Sequence, residues 1–120
     1  MNKILIVDDD KDILQIVEIL LTAHNYTVET VFNPANILEK VKTFTPHLIL
    51  MDVNMGKHDG REICKLLKSD TIINHIPVIL FSAMQNLQET HTECEATDFI
   101  AKPFDALYLI RIIEKHLVSA

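Results

Sequence analysis

Glycine is scarce in this chain of 120 residues, in which Gly56 and Gly60 are the only two. A glycine-rich loop that cradles a nucleotide needs more glycines than that, so the sequence excludes a nucleotide-binding loop of this kind. Tryptophan is absent. The two cysteines, Cys64 and Cys94, are too few for a disulfide framework and lack the spacing of a metal site. We therefore predict plain thiols in a reducing compartment.

The chain also has few basic residues and no long apolar run. Its 11 lysines and arginines stand against 17 aspartates and glutamates, which gives a net charge of −6. This balance argues against binding of nucleic acid or of an anionic membrane by this domain alone. No apolar run approaches the ~20 residues of a membrane span, and the N-terminal MNKILIVDDD has too few apolar residues for a signal peptide. These absences predict a cytoplasmic protein.

Short apolar runs alternate along the chain with segments whose apolar residues recur at helical spacing. The runs predict five strands, at residues 4–7, 27–32, 47–51, 77–81 and 99–101. Five helices follow them, of which the helix at residues 86–95 has the weakest pattern. This alternation predicts right-handed crossovers and one parallel sheet covered on both faces, hence a single α/β doubly wound domain over residues 1–120. The predicted inward residues of four helices are Ile13, Ile16, Val17, Leu20 and Leu21; Ile37, Leu38 and Val41; Ile63, Leu66 and Leu67; and Ile110, Ile113 and Leu117.

Reactive or charged side chains follow four of the five predicted strands. Because the carboxyl ends of parallel strands share one edge of the sheet, where α/β proteins bind ligands, these side chains should converge. Taken singly, each has a simpler interpretation: a helix cap or turn for an acid, a turn for the serine, and a solvated charge for the lysine. Their joint occurrence favours a site. The residues are Asp8 and Asp9 after the first strand, Asp52 after the third, Ser82 after the fourth and Lys102 after the fifth.

Three carboxylates at one edge repel one another. Two unit charges about 5 Å apart cost on the order of 3 kcal/mol at an effective dielectric near 20. Such a cluster raises a pKa or recruits a cation, and hard oxygen ligands suit Mg²⁺. A carboxylate beside Mg²⁺, a lysine and a hydroxyl suits phosphoryl transfer, in which the carboxylate is the nucleophile and forms an acyl phosphate. Because the chain lacks a nucleotide loop, the phosphoryl donor should be held elsewhere.

These motifs resemble those of response-regulator receiver domains from two-component signalling. ILIVDDD resembles the first strand and acidic pair of that family, and DVNMGKHDG resembles its phosphoacceptor loop. PVILFSA resembles the fourth strand with its switch hydroxyl, and FIAKPF the fifth strand with its switch aromatic residue and phosphate-binding lysine. The likeness spans the chain from Lys3 to Leu117. It implies a flavodoxin-like fold with the strand order 2-1-3-4-5.

The resemblance also implies roles for individual residues. Asp52 would accept a phosphoryl group from a histidine kinase or a histidine phosphotransfer protein. Lys102 and Ser82 would contact that group, and Ser82 and Phe99 would act as the switch. In the family the peptide bond between Lys102 and Pro103 would be cis.

Magnesium is the cofactor that the resemblance implies. Its ligands would be the carboxylates of Asp8, Asp9 and Asp52 and the backbone carbonyl of Asn54. The chain would not be a turnover enzyme, because it would catalyse only its own Mg²⁺-dependent phosphorylation and dephosphorylation.

Phosphorylation would remodel the face made by the fourth helix, the fifth strand and the fifth helix, where an output partner or a second copy of the chain would dock. The last predicted helix carries Leu109 and Ile112 beside its inward residues. These two residues indicate either such a docking surface or a wide buried face.

Three positions depart from the family pattern. Gly56 stands where proline is usual, so the loop after Asp52 should be less rigid. Glu95-Ala96 replaces a common Gly-Ala pair, and Phe99 lacks the hydroxyl of the tyrosine often found there. Two alternatives stay open: a degenerate receiver that binds partners without phosphorylation, and an aspartate-nucleophile phosphatase. Such phosphatases usually place a second acid two residues beyond the nucleophile, where this chain has Asn54.

Overall fold

Five parallel strands form the main sheet of this computed structural model, which describes residues 2–82, 96–102 and 104–117 and, of Ser82, the backbone alone. Across the sheet the second strand of the chain comes first, followed by the first, third, fourth and fifth, and every neighbouring pair is parallel. This order confirms the flavodoxin-like fold, and each strand boundary lies within one residue of its prediction. The strands are β1 (Lys3–Val7), β2 (Thr27–Val31), β3 (Leu48–Asp52), β4 (Val78–Ser82) and β5 (Asp98–Ala101).

Helices follow the strands, and the first and last described helices begin at capping side chains. The side chain of Asp10 accepts hydrogen bonds from the backbone N–H groups two and three residues later, and Asp105 does the same for the last helix. Asn33 caps the short 3₁₀ turn Pro34–Asn36. The predicted helix at residues 86–95 lies outside the described residues. The described helices are α1 (Lys11–Ala23), α2 (Ile37–Phe44), α3 (Gly60–Ser69) and the last helix (Ala106–Leu117).

Both faces of the sheet are covered, as the continuous apolar runs predict. Successive strand residues alternate between two core clusters, because side chains along a strand point to opposite faces. One cluster contains Leu5, Val7, Ile49 and Met51 with residues of α2 and α3. The other contains Ile4, Ile6, Leu48 and Leu50 with residues of α1 and the last helix.

The buried faces of α1 and α3 differ from the prediction. On α1, Leu14 is buried and Ile16 is 62% exposed, so the inward assignment of Ile16 is wrong. On α3, Cys64 is buried and Leu66 is 46% exposed, so the inward assignment of Leu66 is also wrong. Each helix has more apolar residues than one buried stripe holds, and contact with the sheet selects which of two neighbouring stripes faces inward.

The last helix has a wide buried face. Leu109 is 2% exposed, and Ile112 is partly buried against the same cluster as the inward residues of this helix. Of the two interpretations for Leu109 and Ile112, the structure thus favours the buried face. Leu107 and Tyr108 remain exposed, at 63% and 50%. Across the described part of the chain, every helix is too short or too polar to cross a membrane.

A small antiparallel hairpin follows β3, where the sequence predicted only a turn. Asn54 pairs with Asp59, and Met55 pairs with His58. Gly56 has a φ of +60° in the two-residue connection, as the first position of a type II′ turn requires. Proline, whose ring holds φ near −65°, cannot adopt this conformation. The loop after Asp52 therefore forms a turn that requires the positive φ of Gly56, which a proline at this position would not allow.

Candidate functional site

Three carboxylates meet at the carboxyl edge of the sheet, where β1 and β3 end side by side. Asp8 directly follows β1 and is fully buried, Asp52 is the last residue of β3 and is 5% exposed, and Asp9 is exposed. One carboxylate oxygen from each residue lies within 4.8 Å of the other two. The structure thus brings together the three acids that the strand ends indicate.

Lys102 reaches this cluster from the far side of β4. Its Nζ lies 3.4 Å from Oδ2 of Asp8 and 3.5 Å from Oδ2 of Asp52, and its side chain is 21% exposed. Lys102 directly follows β5, which is two strands away from β3 in the sheet. The parallel sheet therefore brings the ammonium of Lys102 to two carboxylates that lie 50 and 94 residues before it in the sequence.

The other predicted residues lie near this edge. The backbone of Ser82 ends β4 beside Ala101, whereas its side chain lies outside what the structure describes, as does Pro103. Phe99 lies in β5 and packs partly buried against the core cluster of α2 and α3. Asn54 begins the hairpin two residues beyond Asp52. Their functional roles stay predictions.

Burial raises the pKa values of the two enclosed acids. Desolvation raises the pKa of Asp8 to about 6, the negative charge of Asp52 adds to this, and the backbone N–H of Asp10 and the ammonium of Lys102 oppose it. Burial also raises the pKa of Asp52, against the opposing charge of Lys102. The Asp10 N–H donates to Oδ1 of Asp8 over 3.0 Å. Holding both acids ionised therefore costs free energy, which a bound cation would lower.

Two further residues shape the site, and sequence reasoning did not find them. A Cβ at Gly60 would overlap the backbone oxygen of Asp52, and the Gly60 N–H donates to the carbonyl oxygen of Val53 over 2.8 Å. The Asp59-Gly60 pair before a helix was the available signal. The ring of Phe81 lies beneath Lys102, whose Nζ is 4.9 Å from the ring centroid. Within an apolar strand run, Phe81 carried no signal.

Comparison with known proteins agrees with this geometry. The family model described as "Response regulator receiver domain" matches residues 4–114. The response regulator PleD of Caulobacter vibrioides is 36% identical over 109 residues, which cover 89% of this chain and 24% of PleD. The chain thus spans about a quarter of the length of that relative.

Solved structures share the fold over nearly the whole chain. The receiver domain of a signal transduction histidine kinase from Syntrophus aciditrophicus has a TM-score of 0.91 and 30% identity, covering 100% of this chain and 92% of that one. The receiver domain of the sensor histidine kinase PA1611 from Pseudomonas aeruginosa, solved with a magnesium ion coordinated in its active site cleft, has a TM-score of 0.88. It is 24% identical and covers 98% of each chain, which shows the shared fold. The chain belongs to the family of response regulator receiver domains.

Proposed function

We propose that this receiver domain is a phosphoacceptor and that Asp52 takes up a phosphoryl group from a histidine kinase or a histidine phosphotransfer protein. The observation that carries the proposal is the convergence of Lys102 with two buried carboxylates at 3.4 and 3.5 Å. A degenerate receiver that only binds partners has no use for such a costly cluster, so the convergence favours phosphoryl transfer.

The choice of Asp52 as nucleophile rests on its exposure and its position in the sheet. Asp8 is fully buried, so a donor cannot approach it. Asp52 retains 5% exposure at the end of the central strand β3, with Lys102 as near to it as to Asp8. Asp9 is exposed and lies at the solvent side of the cluster, where it would serve as a ligand.

The three acids fit a magnesium ion. Their oxygens lie within 4.8 Å of one another, and hard carboxylate oxygens with one solvent-facing side suit an ion that keeps several waters. Asp8, Asp9 and Asp52 would hold it, and we propose the backbone carbonyl of Asn54 as a further ligand. Bound there, Mg²⁺ would neutralise negative charge on the phosphoryl oxygens.

The reaction needs one nucleophile and one cationic partner from this chain. A carboxylate oxygen of Asp52 attacks the phosphorus atom, the P–N bond to the donor histidine breaks, and the leaving imidazole nitrogen keeps the electron pair and takes a proton from water. The Lys102 ammonium then shifts its contact from carboxylate to phosphoryl oxygens. We assign the hydroxyl of Ser82 as a hydrogen-bond donor to one of these oxygens.

The same proposal includes the response to phosphorylation. Ser82 would move toward the phosphoryl group and Phe99 would turn inward, which changes the face of the fourth helix, β5 and the last helix. Leu107 and Tyr108 are exposed on the last helix and would contact an output partner or a second copy of the chain. We place this single domain, residues 1–120, in the cytoplasm.

Intact mass tests the proposal. After incubation with acetyl phosphate and Mg²⁺, the wild-type chain should gain one phosphoryl group and Asp52→Asn should gain none. Asp70→Asn is the matched control, because Asp70 caps the end of α3 at the other end of the sheet. It should be phosphorylated like the wild type. A wild-type chain without gain, or a phosphorylated Asp52→Asn variant, would contradict the proposal.

A further inference from the structure

Phe81 lies between the phosphoacceptor strand and the lysine that serves it. Phe81 of β4 is paired in register with Asp52 on one side and with Ile100 of β5 on the other. Adjacent strands are about 4.8 Å apart, so Lys102 must extend its side chain across β4 to reach Asp52. Paired residues of neighbouring strands project to the same face of a sheet, which places the Phe81 ring directly beneath that path.

The Phe81 ring is held in place on two sides. The Lys102 Nζ lies 4.9 Å from the ring centroid, within the distance of a cation–π contact. The Phe104 ring meets it edge-on, with centroids 6.0 Å apart and an interplanar angle of 85°. Phe81 itself is 2% exposed. The segment after β5 thus supplies both the ammonium and the second ring that enclose this side chain.

We propose that Phe81 is a positioning residue for phosphoryl transfer: its ring face holds the Lys102 ammonium within reach of Asp52. The proposal rests on the proposed function of Asp52. A ring face attracts a cation without a lone pair of fixed direction. The ring therefore attracts the ammonium while its N–H groups remain available for hydrogen bonds, first to carboxylate oxygens and then to phosphoryl oxygens. An aliphatic side chain of similar size would fill the space but would not attract the cation.

Progressive fluorination of the Phe81 ring separates this attraction from packing. Phenylalanine carrying one, two or three fluorine atoms keeps nearly the same shape, while each fluorine weakens the negative potential of the ring face. With saturating Mg²⁺ and subsaturating acetyl phosphate, the phosphorylation rate should fall stepwise, by about fivefold at three fluorines. A rate that is unchanged across the series in folded protein would overturn the proposal.

Phe44 provides the matched control. The Lys3 Nζ lies 5.4 Å from the Phe44 ring centroid, at the other end of the sheet. The same fluorinated series at Phe44 weakens a second lysine–ring contact without touching the site. The phosphorylation rate should then stay constant. An equal fall at both positions would mean that fluorination acts through general stability, and the proposal would be wrong.

A second measurement needs neither Mg²⁺ nor phosphorylation. Protons above a ring face are shifted upfield, so the ε-methylene protons of Lys102 should show this shift by NMR in the metal-free protein. The shift should disappear in Phe81→Leu and persist in Phe81→Tyr, which keeps the ring. An absent shift in the wild type would overturn the proposal. If the wild type shows the shift but gains no phosphoryl group, then the proposed function of Asp52 fails, and a role for Phe81 in that reaction fails with it.

Discussion

Two lysines at opposite ends of the same sheet lie in different surroundings. At the amino end, the Lys3 Nζ donates to the carbonyl oxygen of Phe44 and to Oγ1 of Thr45, both at 2.9 Å. At the carboxyl end, the Lys102 Nζ faces two buried carboxylates at 3.4 and 3.5 Å. Each ammonium also lies near an aromatic ring. Both lysines lie at an end of the sheet and contact an aromatic ring, but the hydrogen-bond partners of Lys3 are neutral and those of Lys102 are charged.

This difference separates a structural contact from the candidate functional site. Two neutral oxygens at the end of α2 accept hydrogen bonds from the Lys3 ammonium, so this contact forms without any buried negative charge. Around Lys102, three carboxylates stand against one ammonium, and two of the acids have raised pKa values because they are buried. A surplus of buried negative charge is unfavourable in the protein alone and becomes favourable when a cation binds.

Replacing Lys102 should give the largest effect. Lys102→Met keeps the length of the apolar stem but removes the ammonium, so charge on the phosphoryl oxygens loses its partner. We expect phosphorylation by acetyl phosphate to slow by about 10³-fold. The initial rate of mass gain measures this. Lys3→Met is the comparison and should phosphorylate at the wild-type rate; equal losses in both variants would remove the distinction between the two ends.

The pH dependence of stability should reveal the buried acids. The pKa of Asp8 rises from 3.8 to about 6 on folding, so the folded state binds more protons between these values than the unfolded state. The free energy of unfolding should therefore decrease as pH rises from about 4 to about 6, by up to ~3 kcal/mol, and change little from this source above pH 6. Urea unfolding at several pH values measures this slope.

Asp8→Asn removes one of the two buried acids and should make that slope shallower, because only the raised pKa of Asp52 then contributes to it. Asp59 and Asp98 do not mask it, because their pKa values are lowered and their contribution is lost only as pH falls below about 4. Mg²⁺ should stabilise the wild type above pH 6 and should stabilise Asp8→Asn much less. A slope as steep in Asp8→Asn as in the wild type would show that Asp8 is not responsible for it.

Gly60→Ala should lower the free energy of unfolding by an intermediate amount. The new Cβ would overlap the backbone oxygen of Asp52, so backbone must move, which costs about 2 kcal/mol of unfolding free energy. Phosphorylation should slow as well, because Asp52 is displaced. Gly56→Ala is the control: its Cβ would lie 3.6 Å from Oδ2 of Asp9, and its cost of about 1 kcal/mol comes from the positive φ. Urea denaturation ranks the two variants, and equal costs would contradict the overlap.

The smallest expected effect is the loss of stability in Lys3→Met. It loses two hydrogen bonds to neutral acceptors near the protein surface, worth about 1 kcal/mol of unfolding free energy together with its ring contact. This change should not depend on pH between 5 and 8, nor on Mg²⁺. A strong dependence on either would mean that the amino end also holds unbalanced charge.

The sequence pattern by itself determined the fold class and the composition of the candidate site. Apolar runs that alternate with helical periods specify a parallel sheet, and such a sheet places all its carboxyl ends at one edge. Asp8, Asp9, Asp52 and Lys102 could therefore be assigned to one place before any distance was known, and the structure brings them together. This works because the alternation of strands and helices can be read along the chain, and helical crossovers make successive strands parallel.

Tertiary structure alone decided what depends on contacts between distant segments. Leu14 faces inward in place of Ile16 because the sheet selects one of two apolar stripes, which differ little in sequence. Gly60 is needed because α3 begins against the backbone of Asp52, and Phe81 lies beneath Lys102 because β4 separates β3 from β5. Local sequence encodes which element a residue joins. Its neighbours across the sheet follow from strand order and register, which only the packed chain sets.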